Sequence, residues 1–260
     1  MSQNVRNNNE LPTTAVLLAG GLGSRLLPFT AVIPKPLVPI DRESIAEILL
    51  KQLAHFGVKR VFVSIGYLGH LIEAVLGDGS RFGLELLYQR EEKPLGTVGP
   101  LALIADKLPE NFLVLNGDVL SDIDFAGLLQ AHLIGGQTLT IATYPRELKV
   151  EFGVLKTDAS GSVTAFVEKP HHDFLVSMGV YAMNRGVLAY FEPGQAFGFD
   201  QLVLAMLAKG DRVGTFNWGA GRWLDIGRAT DFATAQTQFR ADRHIYLPFE
   251  AAAARPGEQP

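Results

Sequence analysis

From Thr14 to Leu115 short apolar runs alternate with stretches of helical spacing, and that alternation constrains the fold more than any other feature of the chain. Thr14 to Leu18 is an apolar run that breaks into Gly20-Gly21-Leu22-Gly23. After a long loop, Ile45, Ile48, Leu49, Gln52, Leu53 and Phe56 recur at helical spacing, with Asp41 as the expected N-cap and Gly57 as the stop. Arg60 to Ile65 reads as the next buried strand. The pattern then repeats: a helix over Gly69 to Leu76 closed by Gly77, a strand over Leu84 to Tyr88, a helix over Val98 to Leu108, and a strand over Phe112 to Leu115. Such alternation implies parallel strands joined by helical crossovers.

The pattern changes from Gly153. Two β-rich runs flank Asp158-Ala159-Ser160-Gly161 and predict a hairpin, followed by a strand over Val176 to Met183. Phe199 to Lys209 predicts a helix capped by Asp200 and ended by Gly210. The fold class expected is α/β, Rossmann-like: a mixed, mostly parallel central sheet flanked by helices, with a small antiparallel part. At 260 residues we expect one domain over 12–246, with flexible tails at 1–11 and 247–260.

Composition excludes several functions. Twenty-three basic residues against 27 acidic ones, with no dense Lys/Arg cluster, disfavour nucleic acid as a partner. No apolar run is long enough for a membrane span, and the asparagine-rich start resembles neither a signal nor a transit peptide, so a cytoplasmic protein is expected. The chain has no cysteine, so any metal must be held by oxygen or imidazole.

Gly20, Gly21 and Gly23 follow a buried strand, where bare backbone amides approach an anion closely. Taken alone, such a turn equally fits a tight strand-to-helix connection. Two named phosphate loops fail: G-x-G-x-x-G started at Gly21 meets Leu26 where a small residue is required, and G-x-x-x-x-G-K-[ST] is absent. What accompanies the loop is Arg25 and, ten residues on, Pro34-Lys35-Pro36, two cations at one strand end. Farther along, Asp118 ends a predicted buried strand, where open α/β sheets bind ligands. Asp225 stands in the apolar frame Trp223-Leu224-Asp225-Ile226-Gly227 and needs a cation, an amide or water. By themselves, Asp118 also fits a turn and Asp225 a helix N-cap.

The segment Leu18-Ala19-Gly20-Gly21-Leu22-Gly23-Ser24-Arg25-Leu26, followed by Pro34-Lys35-Pro36-Leu37-Val38-Pro39-Ile40, resembles the N-terminal signature of the sugar nucleotidylyltransferases, or NDP-sugar pyrophosphorylases. The resemblance runs from about Thr13 to Phe232. It implies that Leu18, Ala19, Gly20, Gly21 and Gly23 wrap a nucleoside triphosphate while Arg25 and Lys35 bind its phosphates. Asp118 and Asp225 match the pair that holds catalytic Mg²⁺. Glu168-Lys169-Pro170 matches a motif whose glutamate takes sugar hydroxyls and whose lysine holds the sugar phosphate. Asn116 and Gly153 match further sugar-side positions, and Ser177 stands where many relatives have asparagine, a departure that weakens any transfer of sugar specificity.

Glu91, with Gly96 and Thr97 after it, resembles the base-reading loop. Relatives using uridine or thymidine nucleotides often have glutamine at Glu91. A carboxylate only accepts hydrogen bonds, and guanine presents two adjacent donors, so guanine is favoured over uracil. The surrounding run most resembles the mannose-1-phosphate and heptose-1-phosphate guanylyltransferase branch. The implied reaction is Mg²⁺-assisted transfer from a nucleoside triphosphate, GTP first, to a sugar 1-phosphate, with Arg25, Lys35 and Lys169 as the catalytic cations. His171, His172 and Asp173 are expected to be solvated loop residues, not a metal site. Oligomeric state is left open.

Overall fold

The structure, a computed structural model, describes residues 13–226 and 229–253; the expected tail at 1–11 lies outside them, as do the side chains of Arg25 and Asp225. Seven strands form the central sheet. β1 (Thr14–Ala19) lies inside it, with β4 (Arg60–Ile65) and then β5 (Glu85–Arg90) on one side and β6 (Asn111–Asn116) on the other. Beyond β6 come β11 (His171–Asn184), β8 (Leu139–Lys149) and β12 (Val213–Asn217). β1 runs parallel to β4 and β6, β4 to β5, and β8 to β12; β11 alone runs against its neighbours. Three two-stranded pairs complete the strands: β2 (Pro39–Ile40) with β3 (Glu43–Ser44), β7 (Val119–Ser121) with β13 (Trp223–Asp225), and β9 (Val154–Thr157) with β10 (Val163–Val167).

The core lies on both faces of the sheet because successive strand residues point opposite ways. Ala15, Leu17 and Ala19 face α1 (Ile45–His55), α2 (Gly69–Leu76), α3 (Phe125–Gly135) and α5 (Ala229–Tyr246). Val16 and Phe62 face Leu101, Ile104 and the Leu202 and Met206 side chains of α4 (Phe199–Ala208). Each fully buried leucine or isoleucine of α1 contributes roughly 1.5–3 kcal/mol relative to exposure.

Several local expectations need correction. α1 is capped by Ser44 rather than Asp41: Ser44 Oγ accepts from the Glu47 amide at 3.3 Å, and Glu47 Oε2 accepts from the Ser44 amide at 2.7 Å. Burial alone would raise the Glu47 pKa, but these bonds and Arg81 hold it below the usual range. The helix expected over Val98 to Leu108 is a 3-10 stretch over Gly99–Ile104, opened by Gly99-Pro100. α4 begins after Gly198, whose amide donates to Gln201, with Asp200 inside its first turn. Past Leu247, where a tail was expected, the chain turns into α6 (Pro248–Ala253): Leu247 is buried, and Glu250 accepts from Lys51 at 2.6 Å and from Arg243 at 3.0 Å. His171, His172 and Asp173 belong to strand β11, paired with Lys149, Leu148 and Glu147, because the β8 ladder extends past the core.

Candidate active site

A cavity of about 450 Å³ opens at the carboxyl ends of β1 and β6, where parallel strands leave a crevice. Around it the structure gathers Leu18, Ala19, Gly20, Gly21, Gly23, Lys35, Glu91, Gly96, Thr97, Asn116 and Asp118. These come from four separate segments of sequence. Ser24, Pro36, Pro94, Pro100 and Gly117 also line it; the first two lie inside the motifs already quoted but have no role assigned there.

The floor is fixed by backbone packing. Gly117 donates to the Leu18 carbonyl at 2.9 Å, locking the end of β6 to the end of β1 and presenting Asp118 to the cavity. Pro36 packs on Gly117, which carries the Lys35 segment over the same edge. Lys35 Nζ then donates to Asp118 Oδ2, and the two side chains are only 11% and 24% exposed. At that burial, removing one partner leaves an uncompensated charge.

Glu91 sits on the opposite wall, held on three sides. Its amide donates to the Ile65 carbonyl at 2.9 Å, Ser64 Oγ donates to Oε1 at 2.9 Å, and the Leu95 amide donates to Oε2 at 3.0 Å. A Cβ on residue 20 would fall 2.4 Å from Glu91 Oε1, so the carboxylate lies where only glycine leaves room. Each oxygen keeps a lone pair for a ligand. Thr97 Oγ1 accepts from the Phe199 amide at 2.6 Å, stapling this loop to the start of α4.

The sugar-side candidates divide. Asn116 lines the cavity, whereas Gly153, Glu168, Lys169 and Ser177 do not. Glu168 and Lys169 are exposed between β10 and β11, Lys169 with a left-handed φ of 45°. The Phe166 ring fills the space over Gly153. Ser177 Oγ donates to the Tyr181 hydroxyl at 3.3 Å, beside a register shift between the two in the β8–β11 ladder. Burial, opposed by that bond and reinforced by the Asp118 charge, pushes the Tyr181 pKa up to about 12.

For a metal, the backbone register sets Asp225 opposite Val119, the residue after Asp118, so Asp225 stands on the strand beside β7 while Asp118 lies in the turn that leads into β7. Among the described residues no cluster of three or more His, Asp or Glu forms a closed cage. Mg²⁺ is held by one or two carboxylates with water and phosphate oxygens completing its shell, and the Asp118 carboxylate, in the same cavity as the Gly20–Gly23 loop, is an oxygen donor of that kind. Arg25 and Asp225 contribute no side-chain geometry, since both side chains lie outside the described residues.

Comparison with known proteins places this site in a lineage. The nucleotidyl transferase family matches residues 14–242, and the chain belongs to it. The mannose-1-phosphate guanylyltransferase catalytic subunit beta of Drosophila pseudoobscura pseudoobscura is 34% identical over 229 residues, 85% of this chain and 61% of that protein. The chain therefore spans less than two thirds of that relative. A UTP–glucose-1-phosphate uridylyltransferase of Synechocystis sp. is 31% identical over 264 residues, 94% of this chain and 67% of that protein. Among solved structures, HddC from Yersinia pseudotuberculosis complexed with GMP-PN superposes with a TM-score of 0.67 at 25% identity, covering 88% of this chain and all of that one. Among the described residues no helix is long and apolar enough to cross a membrane.

Proposed function

We propose that this protein transfers a nucleoside monophosphate from GTP to a sugar 1-phosphate of the mannose or heptose type, releasing pyrophosphate. The observation that carries the reading is the convergence on one cavity of the Gly20–Gly23 loop, the Lys35–Asp118 pair and the carboxylate of Glu91. In this reading the loop amides hold the triphosphate, while Lys35 and Arg25 offset charge on the leaving pyrophosphate. The sugar-phosphate oxygen attacks the α-phosphorus in line, positioned by Lys169, and no covalent enzyme intermediate is required. Mg²⁺, held by Asp118 and Asp225, supplies charge neutralisation and alignment of the phosphates when bound.

Glu91 supports guanine, since both its oxygens are aimed by Ser64 and Leu95 and accept only. The guanylyltransferase relative and the GMP-PN complex of HddC point the same way. The uridylyltransferase relative favours a second reading, the same chemistry with UTP and a glucose-type acceptor. Pyrophosphate release with Mg²⁺ and a panel of nucleoside triphosphates against sugar 1-phosphates separates them. GTP with mannose or heptose 1-phosphate is the expected best pair; preference for UTP or dTTP overturns the assignment of Glu91.

A further inference from the structure

Lys35 sits in a stretch poorly equipped to hold itself in place. Pro34, Pro36 and Pro39 carry no amide proton, so half of the residues from 34 to 39 have no backbone donor. Two bonds made inside the stretch are local, from the Leu37 amide to the Pro34 carbonyl at 2.8 Å and from the Val38 amide to the Lys35 carbonyl at 3.1 Å. Beyond it the chain turns at Asp41 and Arg42 between β2 and β3, a pair only two residues long on each side. Asp41 takes a left-handed φ of 59°, a conformation that most side chains disfavour. A strand pair so short is marginal in water without support from elsewhere in the fold.

α5 supplies that support. Gln236 Nε2 donates to the Pro39 carbonyl at 2.7 Å, and Gln236 Oε1 accepts from the Asp41 amide at 2.8 Å. One carboxamide thus meets one carbonyl and one amide, as the peptide group of a neighbouring strand does. The helix is itself fixed in the core by Ala235 and Phe239, buried on either side of Gln236. The Arg240–Asp41 ion pair on the same turn, at 3.0 Å, has its arginine side chain 67% exposed, and a pair in that setting contributes little. We infer that Gln236 is a positioning residue: from a helix 195 positions farther along the chain it clamps the exit of the Lys35 segment, and so sets where the Lys35 ammonium meets Asp118. The inference rests on the reading of Lys35 as a phosphate-binding cation, and adds to it a residue that does not line the cavity.

Three variants of the full chain test it. Gln236→Ala removes both bonds, whereas Gln236→Glu keeps the shape and replaces the donor with a carboxylate oxygen facing the Pro39 carbonyl. Gln238→Ala, exposed on the same helix, is the control for loss of a glutamine. Competitive acetylation of the lysine amines, read by peptide mass, needs no ligand. Lys35, whose side chain is 11% exposed in the parent, is expected to label several-fold faster in both Gln236 variants and at the parental rate in Gln238→Ala, with the exposed Lys59 unchanged throughout. A double-mutant cycle with Lys35→Met then reads the dissociation constant of the tightest binder among GTP, UTP, dTTP, CTP and ATP. Gln236→Ala is expected to raise it roughly tenfold when Lys35 is present and less than about twofold when it is absent. Equal rises in both backgrounds overturn the inference. So does Lys35 labelling that moves in neither Gln236 variant, or in Gln236→Ala and not in Gln236→Glu. If no nucleoside triphosphate binds the parent, the reading of the cavity fails, while the labelling still decides whether Gln236 places Lys35.

Discussion

The cavity wall and the arm made by the outer ends of β8 and β11 with the β9–β10 hairpin are built on opposite terms. Around the cavity the polar groups are held by protein partners before any ligand arrives: Gly117 is tied to Leu18, Glu91 to Ser64 and Leu95, and Lys35 to Asp118. On the arm, Glu168 and Lys169 stand in solvent on a hairpin with no core of its own. On the proposed reading the nucleotide half is thus preorganised, and the sugar half must be ordered by what binds it. Preorganised groups lose little on binding and act mainly in the transition state, whereas exposed ones must first be ordered.

The largest test of that contrast is Asp118→Asn. Loss of a charge at the phosphates should cost about 3 kcal/mol of transition-state stabilisation, a hundredfold or more in Mg²⁺-dependent pyrophosphate release. Full turnover in this variant would remove the metal assignment and, with it, the claim that the cavity is the reacting half.

Lys169→Met should separate the halves. We expect the KM for the sugar phosphate to rise roughly tenfold or more, on the order of 1.4 kcal/mol, with the KM for the nucleotide unchanged. A matching rise in both would show that arm and cavity act as one unit.

A smaller effect is expected at Ser64→Ala, which leaves the Glu91 carboxylate in place but frees one oxygen. Loss of one hydrogen bond to a charged group should reduce discrimination of GTP over UTP by about tenfold, or 1.4 kcal/mol, with overall fold intact. If the ratio of kcat/KM for the two nucleotides does not move, Glu91 is not reading the base.

The smallest effect lies at the buried root of β8. His132 is 1% exposed beside Thr140, Nδ1 to Oγ1 2.9 Å, and burial lowers its pKa. A depressed histidine is neutral when folded, so the unfolded chain binds the extra proton. Stability from this group is therefore complete above about pH 6.5 and falls on acidification, by at most about 1.4 kcal/mol per pH unit. The Tm of His132→Gln should show a shallower decline between pH 6.5 and 5 than the parent; an identical slope would free His132 of any part in it.

Much of the cavity half was legible in the sequence, because there local pattern and tertiary role coincide. β4 and α2 lie where apolar spacing predicts them, Gly77 closes α2 with φ 63°, and nine of the ten nucleotide-side candidates line the cavity, Arg25 being outside the described side chains. The Ser44 cap was visible as Ser-x-x-Glu and was passed over for the more acidic Asp41, whose carboxylate instead meets Arg240. α3 was not read, since its apolar residues are not confined to one face, and α6 was hidden by an alanine run whose order depends on the Lys51 and Arg243 contacts made by Glu250. The arm was legible only as alternation. Alternation marks a strand and says nothing about what covers it; the sequence reading places no element over β8 and expects His171, His172 and Asp173, at the outer end of β11, in a loop.

One strand links the two regions. β11 is exposed at Phe174 and Leu175 and fully buried by Val180, where it pairs with Leu115 of β6, the neighbour of Asn116. It works as a beam with one end in the open and the other built into the cavity floor. Whatever orders the outer end is therefore joined, through one unbroken strand, to the neighbour of a residue that lines the cavity.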